Sequence, residues 1–244
     1  MVDDLDINLR SPAEAAARSI VLSSLLRRLA LEPGVGEGGD DAAAETFDLR
    51  QWLTGEGLDV HMTPHEAAII SQPAGSLTPE DIAVISWQGE ALDALAWALG
   101  IAATRHPGQS APIEPLLEVI PEPWDSARGW IEQTNLLPEA DIARERERAE
   151  IWHWRAVAES LRRDASPHER QELDAAIREV IADALASGLL DKPTVADFTV
   201  GGVAVRALPA RELDRIVLIG RARLHALNWL CGFGESWDDV PLDI

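Results

Sequence analysis

The sequence has no tyrosine, one cysteine, one lysine and no long unbroken apolar run, and each shortage excludes something. A lone cysteine, Cys231, cannot form an intramolecular disulfide, and without a secretion signal it fits a reducing cytoplasm. Met1 is followed by Asp3, Asp4 and Asp6, the opposite of the basic stretch that opens an export signal. The longest apolar run, from Ala91 to Ala103, is broken by Asp93 and is too short to span a bilayer. Positive charge is the largest deficit: 21 Lys and Arg stand against 42 Asp and Glu, a formal net charge of −21. Phosphate backbones and anionic lipid repel such a chain, so neither nucleic acid nor a membrane surface is expected as a partner. A basic protein partner is electrostatically easier. We therefore expect a soluble, cytoplasmic protein.

What the chain has in excess is tryptophan, nine residues in 244. Each buries roughly 150–250 Å² when packed, and most lie at helical spacing from aliphatic residues, which predicts core anchors. A repeated helix start is the clearest local signal. Ser or Thr is followed by Pro and, three residues after the hydroxyl, by an acid, at Ser11–Glu14, Thr63–Glu66, Thr78–Asp81 and Ser166–Glu169. The hydroxyl caps a free N–H, proline suits the first helical position, and the acid reaches back to the cap.

These starts predict helices over 12–31, 63–71, 79–99 and 167–187. Further helical patterns cover 42–54, a long charged stretch ending near Arg163, and a last helix after Pro209. In the first helix Ile20, Val21, Leu25, Leu26 and Leu29 form the apolar face and Arg27 and Arg28 a polar end. The helix from 79 is apolar nearly all round, which predicts a central one, with Glu90 as its polar exception. In the long charged helix the apolar seam runs through Ile151, Trp154, Val157 and Leu161. Gly34 to Asp41 looks like a dinucleotide fingerprint only superficially, since it follows a helix and runs into two acids, and reads as a loop. Five prolines between Arg105 and Pro123 predict a stiff crossover between two helical halves. From Asp197 to Leu208 the period changes to two about Gly201–Gly202, a hairpin signal. The expected fold is mainly α, a compact domain of about eight helices over residues 1–244 with one small β-hairpin near 197–206.

Candidate chemistry concentrates in the stretch from Arg223 to Val240. His225 and Asn228 lie three apart and share a helix face; Asp238 follows nearby, and Glu90 is the isolated acid of the apolar helix. A pocket gathering Glu90, His225, Asn228 and Asp238 would suit a small hydrolase or ligand-binding enzyme, with His225 as proton carrier and Asn228 as its orienter. The competing account makes His225 and Asn228 a latch that ties the last helix to the Trp237–Asp239 loop. His61 and His65 have metal-ligand spacing, but Pro64 starts the helix between them, so no metal site is expected there. Trp152-His153-Trp154 predicts core plus one exposed side chain. Cys231 is expected to be an inert buried thiol, and no cofactor is expected.

The chain resembles the domain of unknown function 4272 family. The likeness rests on Trp52-Leu53 with Leu58 and the Thr63–Glu66 helix start, on Trp87, Glu90-Ala91-Leu92 and Trp97–Gly100, and on Trp154-Arg155. It rests most strongly on His225–Leu230 with Trp237–Val240. Gln88 stands where the family often has an arginine, which argues against an ion pair near Glu90. The resemblance implies no activity. The expected function is that of a non-enzymatic protein-binding or interaction domain with an unidentified protein partner, the alternative being the small hydrolase or ligand-binding enzyme above.

Overall fold

A computed structural model describes residues 7–36, 39, 41–190 and 197–242. The acids after Met1 and part of the glycine-rich loop, residues 37, 38 and 40, lie outside the described residues. The described chain forms nine α-helices and a two-stranded hairpin: α1 (Pro12–Ala30), α2 (Ala42–Gly55), α3 (Pro64–Ser71), α4 (Pro79–Ala98), α5 (Ile113–Val119), α6 (Ala127–Ile131), α7 (Glu139–Asp164), α8 (Pro167–Ala186), β1 (Thr199–Val200), β2 (Val203–Ala204) and α9 (Ala210–Leu230). All four Ser/Thr-Pro starts form complete capping boxes, at α1, α3, α4 and α8. The hairpin pairs Val200 with Val203 in antiparallel register. Its turn needs φ of +57° and +82° at Gly201 and Gly202, values that glycine adopts without steric cost.

Two helices arise where proline density or weak patterning concealed them. Helix α5 lies inside the 105–123 stretch. Pro115 is its third residue, a first-turn position where the missing N–H removes no intrahelical bond. Helix α6 is a single short turn capped by Ser126 Oγ, which accepts from Gly129 N–H.

Helix α1, and not only α4, is enclosed all round: every residue from Ala15 to Leu26 is buried. Arg18 and Arg28 are almost wholly buried with it. Arg28 donates to Glu32 at 2.6 Å and to the carbonyls of Gln72 and Pro73, so the expected polar end is an interior one. The seam expected on α7 is also displaced. Ile151, Trp154 and Val157 are half-buried and Leu161 is exposed, whereas Trp152, His153, Arg155, Ala156 and Glu159 are buried. The displacement has a physical cause: Arg155 is neutralised by Asp197, with Nε–Oδ1 at 2.8 Å and Nη2–Oδ2 at 2.9 Å, so a charged face can turn inward.

Apolar side chains gather in two clusters. The larger joins α1 to α6 with the start of α7 and the end of α9; the smaller joins the rest of α7, α8, the hairpin and the start of α9. Helices α7 and α9 run through both, and their mutual packing, with α1 on α4 and α4 on α9, is the most extensive in the fold. Gly220 is where α7 and α9 come closest, since a Cβ there would lie 3.2 Å from His153 Cα. That neighbour is helix backbone and cannot turn aside. Gly220→Ala should therefore lower stability by about 1 kcal/mol despite alanine's better helix propensity. Gly55→Ala, which meets nothing within 4 Å, should raise it by about 0.5–1 kcal/mol. Urea unfolding of the two variants checks the opposite signs.

Candidate functional site

Helix α9 places the candidate residues, and its period decides which of them meet. Arg223 and His225 are two apart, roughly 200° around the helix, so they face different neighbours. Arg223 turns to α4. Its Nη2 lies 2.7 Å and its Nε 3.1 Å from Glu90 Oε2, while Ala111 N–H donates to Oε1. The same guanidinium donates to the carbonyls of His106 and Gln109 and lies 3.5 Å from Asp93. The absence of arginine at 88 therefore does not leave Glu90 unpaired, because a cation 133 residues away supplies the charge. Burial raises the Glu90 pKa, Arg223 opposing it.

His225 and Asn228 face the end of the chain. The His225 ring lies edge-on to Trp237, centroids 4.5 Å apart, and hydrogen-bonds the Trp237 backbone. Trp237 also meets Trp229 edge-on, and the Arg18 guanidinium sits 4.0 Å from its centroid. Arg18 is held in turn by a two-pronged pair with Glu66. Asn228 is buried: its Oδ1 accepts from Arg146 Nε at 2.8 Å and its Nδ2 donates to the Pro241 carbonyl at 2.9 Å. Asp238 is exposed.

Among the four sequence candidates, the structure brings His225 and Asp238 together, lining one groove between α4 and α9 with Val84, Trp87, Leu218 and Trp237. Glu90 and Asn228 line none of the described cavities and are engaged by Arg223 and Arg146. Burial, the largest cause, lowers the His225 pKa to about 4, and His153 likewise to about 4. Both imidazoles are neutral at neutral pH. Cys231 is buried, which raises its pKa to about 11, so it carries no thiolate. His61 lies in a 3₁₀ turn before α3, and among the described residues no three His, Cys, Asp or Glu side chains form a metal-binding group. His153 departs from expectation: Trp152 and His153 are both buried and Trp154 is half-buried, because α9 packs over this part of α7.

The sequence reading missed a second concavity, bounded by α4, α7, the 104–106 segment and the hairpin. It measures about 660 Å³ and is lined by Trp97, His106, Glu145, Arg148 and Trp152 among others. A smaller inner pocket shares Trp97, Glu145 and Trp152 and reaches Arg223. The only signal for it in the sequence is the four-residue spacing of Asp141 and Glu145, which puts both acids on one face of α7.

Residues 1–178 match the family described as "Domain of unknown function (DUF4272)". The chain belongs to this family. The match takes in α1 to α7 and the first part of α8, including the Trp52, Trp87–Gly100 and Trp154-Arg155 motifs, and stops before His225–Leu230. The DUF4272 assignment thus rests on the front of the chain, whereas the polar cluster of α9 lies beyond the matched residues. No curated protein and no solved structure matches the chain.

Two measurements follow from this geometry. Asn228→Ala, which strands the Arg146 and Pro241 groups, should cost about 1–3 kcal/mol, and Trp229→Ala about 3–5 kcal/mol, read as falls in the thermal midpoint. The histidines set a pH dependence. Their folded pKa lies below the ordinary 6.5, so the folded state prefers the neutral ring. The stability this contributes is fully present above pH 6.5 and is lost as pH falls toward 4. His225→Gln or His153→Gln should flatten the stability profile between pH 6.5 and 4, each by about 2–3 kcal/mol.

Proposed function

We propose that the protein is a non-enzymatic, cytoplasmic protein-binding domain, folded as one unit over residues 1–244, that docks a basic amphipathic segment along the seam of α4 and α9. The observation that carries this reading is the apolar lining left open there. Val84 is 44% and Leu218 36% exposed, and with Trp87, Ala222, His225 and Trp237 they line a depression of about 500 Å³. A second depression shares Trp87 and Leu218 and continues to Pro209. The stretch of α9 beside them, about 16 residues, is roughly 24 Å long, a length that suits a helix laid in a groove better than a small molecule.

The net charge of −21 steers a cationic partner toward this surface. Asp214 and Asp238 stand beside the groove; of its arginines, Arg215 is tied to Glu212. His225, neutral at neutral pH, adds no positive charge against such a partner. Engagement of Glu90 and Asn228 by structural hydrogen bonds favours binding over hydrolysis. The sharing of α7 and α9 by both apolar clusters supports one domain.

The test is titration with a basic amphipathic helical peptide, leucines on one face and lysines on the other, followed by backbone amide shifts. The shifts should concentrate at 83–91 and 218–225, vanish when glutamate replaces lysine in the peptide, and show about tenfold weaker binding to Leu218→Asp. Shifts spread over the whole acidic surface, unchanged affinity of Leu218→Asp, or no binding would sink the reading.

A further inference from the structure

The concavity beside α7 touches a different part of α9 from the docking groove, and its chemistry is separate. We propose that it binds a small organic cation, an amine or guanidinium carried on an apolar body. Its volume of about 660 Å³ falls within the range of small-molecule sites, roughly 300–1,000 Å³. Trp97 is half-buried on its wall, with Nε1 fixed by Thr104 Oγ1 at 2.9 Å, so the indole is held in one orientation.

The charge available inside the concavity is negative once committed groups are set aside. Arg148 donates to Glu145 Oε2 at 3.2 Å, and Arg144 donates to the Gly188 carbonyl at 2.6 Å. Asp197 is consumed by Arg155 and by the N–H groups of Phe198 and Arg206. His106 is packed edge-on against Trp152 and accepts from Gly108 N–H. What remains is Glu145 Oε1 and the Asp141 carboxylate, neither of which has a hydrogen-bond or ion-pair partner among the described residues. They sit four residues apart on α7, on the same side. Burial raises the Glu145 pKa against the opposing charge of Arg148, and a cation arriving in place of water offsets that penalty on the ionised form. A protonated amine bonds to these oxygens while its carbon skeleton covers Trp97.

Calorimetric titration of the intact chain with tyramine and agmatine, against uncharged N-acetyltyramine, tests this. At least one cation should bind at a single site, and N-acetyltyramine at least about tenfold more weakly. Asp141→Asn and Glu145→Gln should each weaken the cation about tenfold, the size expected for losing a hydrogen bond to a charged group, with thermal midpoints at or above that of the parent. Glu147→Gln, on the exposed side of α7, should bind like the parent and so separates a site from diffuse attraction to an acidic protein. Equal binding of the uncharged compound, equal damage from Glu147→Gln, or no binding by either cation up to about 10 mM overturns the proposal.

Discussion

A guanidinium inside a protein must be met on nearly every side, and this fold is arranged around that requirement. Arg18, Arg28, Arg155 and Arg223 are buried, and each holds a carboxylate; Arg18, Arg28 and Arg223 also hold backbone carbonyls of a loop. Removing one partner would strand a buried charge, at a cost of about 3–5 kcal/mol. Each loop so gripped is therefore fixed by the arginine as much as by its own turns. The bias against lysine acquires a physical meaning here. A planar fork with five donors can hold a carboxylate and two carbonyls together, as Arg223 does with Glu90, His106 and Gln109, whereas an ammonium offers three donors on a point charge.

Arg223 has a further structural consequence. It joins α4 to α9 and draws the 106–111 segment onto them, which forms one border of the concavity beside α7. On the other side of the same helix, Leu218, Arg221 and His225 border the groove. Both concave surfaces are thus bounded by α9, and α9 is clamped at its end by Asn228, by Trp229 and by Arg10, whose Nε donates to the Trp229 carbonyl. The polar residues at the end of the chain make the helix a fixed wall.

What could be read from the sequence divides along a physical line. Helix starts were legible because a capping box is closed within three residues, and the hairpin because two adjacent glycines specify its turn locally. The inward faces of α1 and α7 were not legible. Arg18 and Arg155 look like solvent-facing residues until Glu66 and Asp197 arrive from 48 and 42 residues away. Helix α5 was hidden because proline reads as a breaker wherever it stands, although in a first turn it breaks nothing.

The candidate site divides along the same line. Spacing identified the face that His225 and Asn228 share, and both do turn toward the Trp237–Pro241 tail. Spacing could not assign Glu90 a partner, since Arg223 and His225 are neighbours in sequence but look in different directions. The acids of the second concavity were equally hidden. On a helix carrying as many charges as α7, Asp141 and Glu145 are indistinguishable from solvated residues until the tertiary fold places Trp97 and Trp152 beside them. A carboxylate acquires chemical meaning from what it is denied, here water and a full set of donors, and that denial is imposed by elements that the local sequence does not contain.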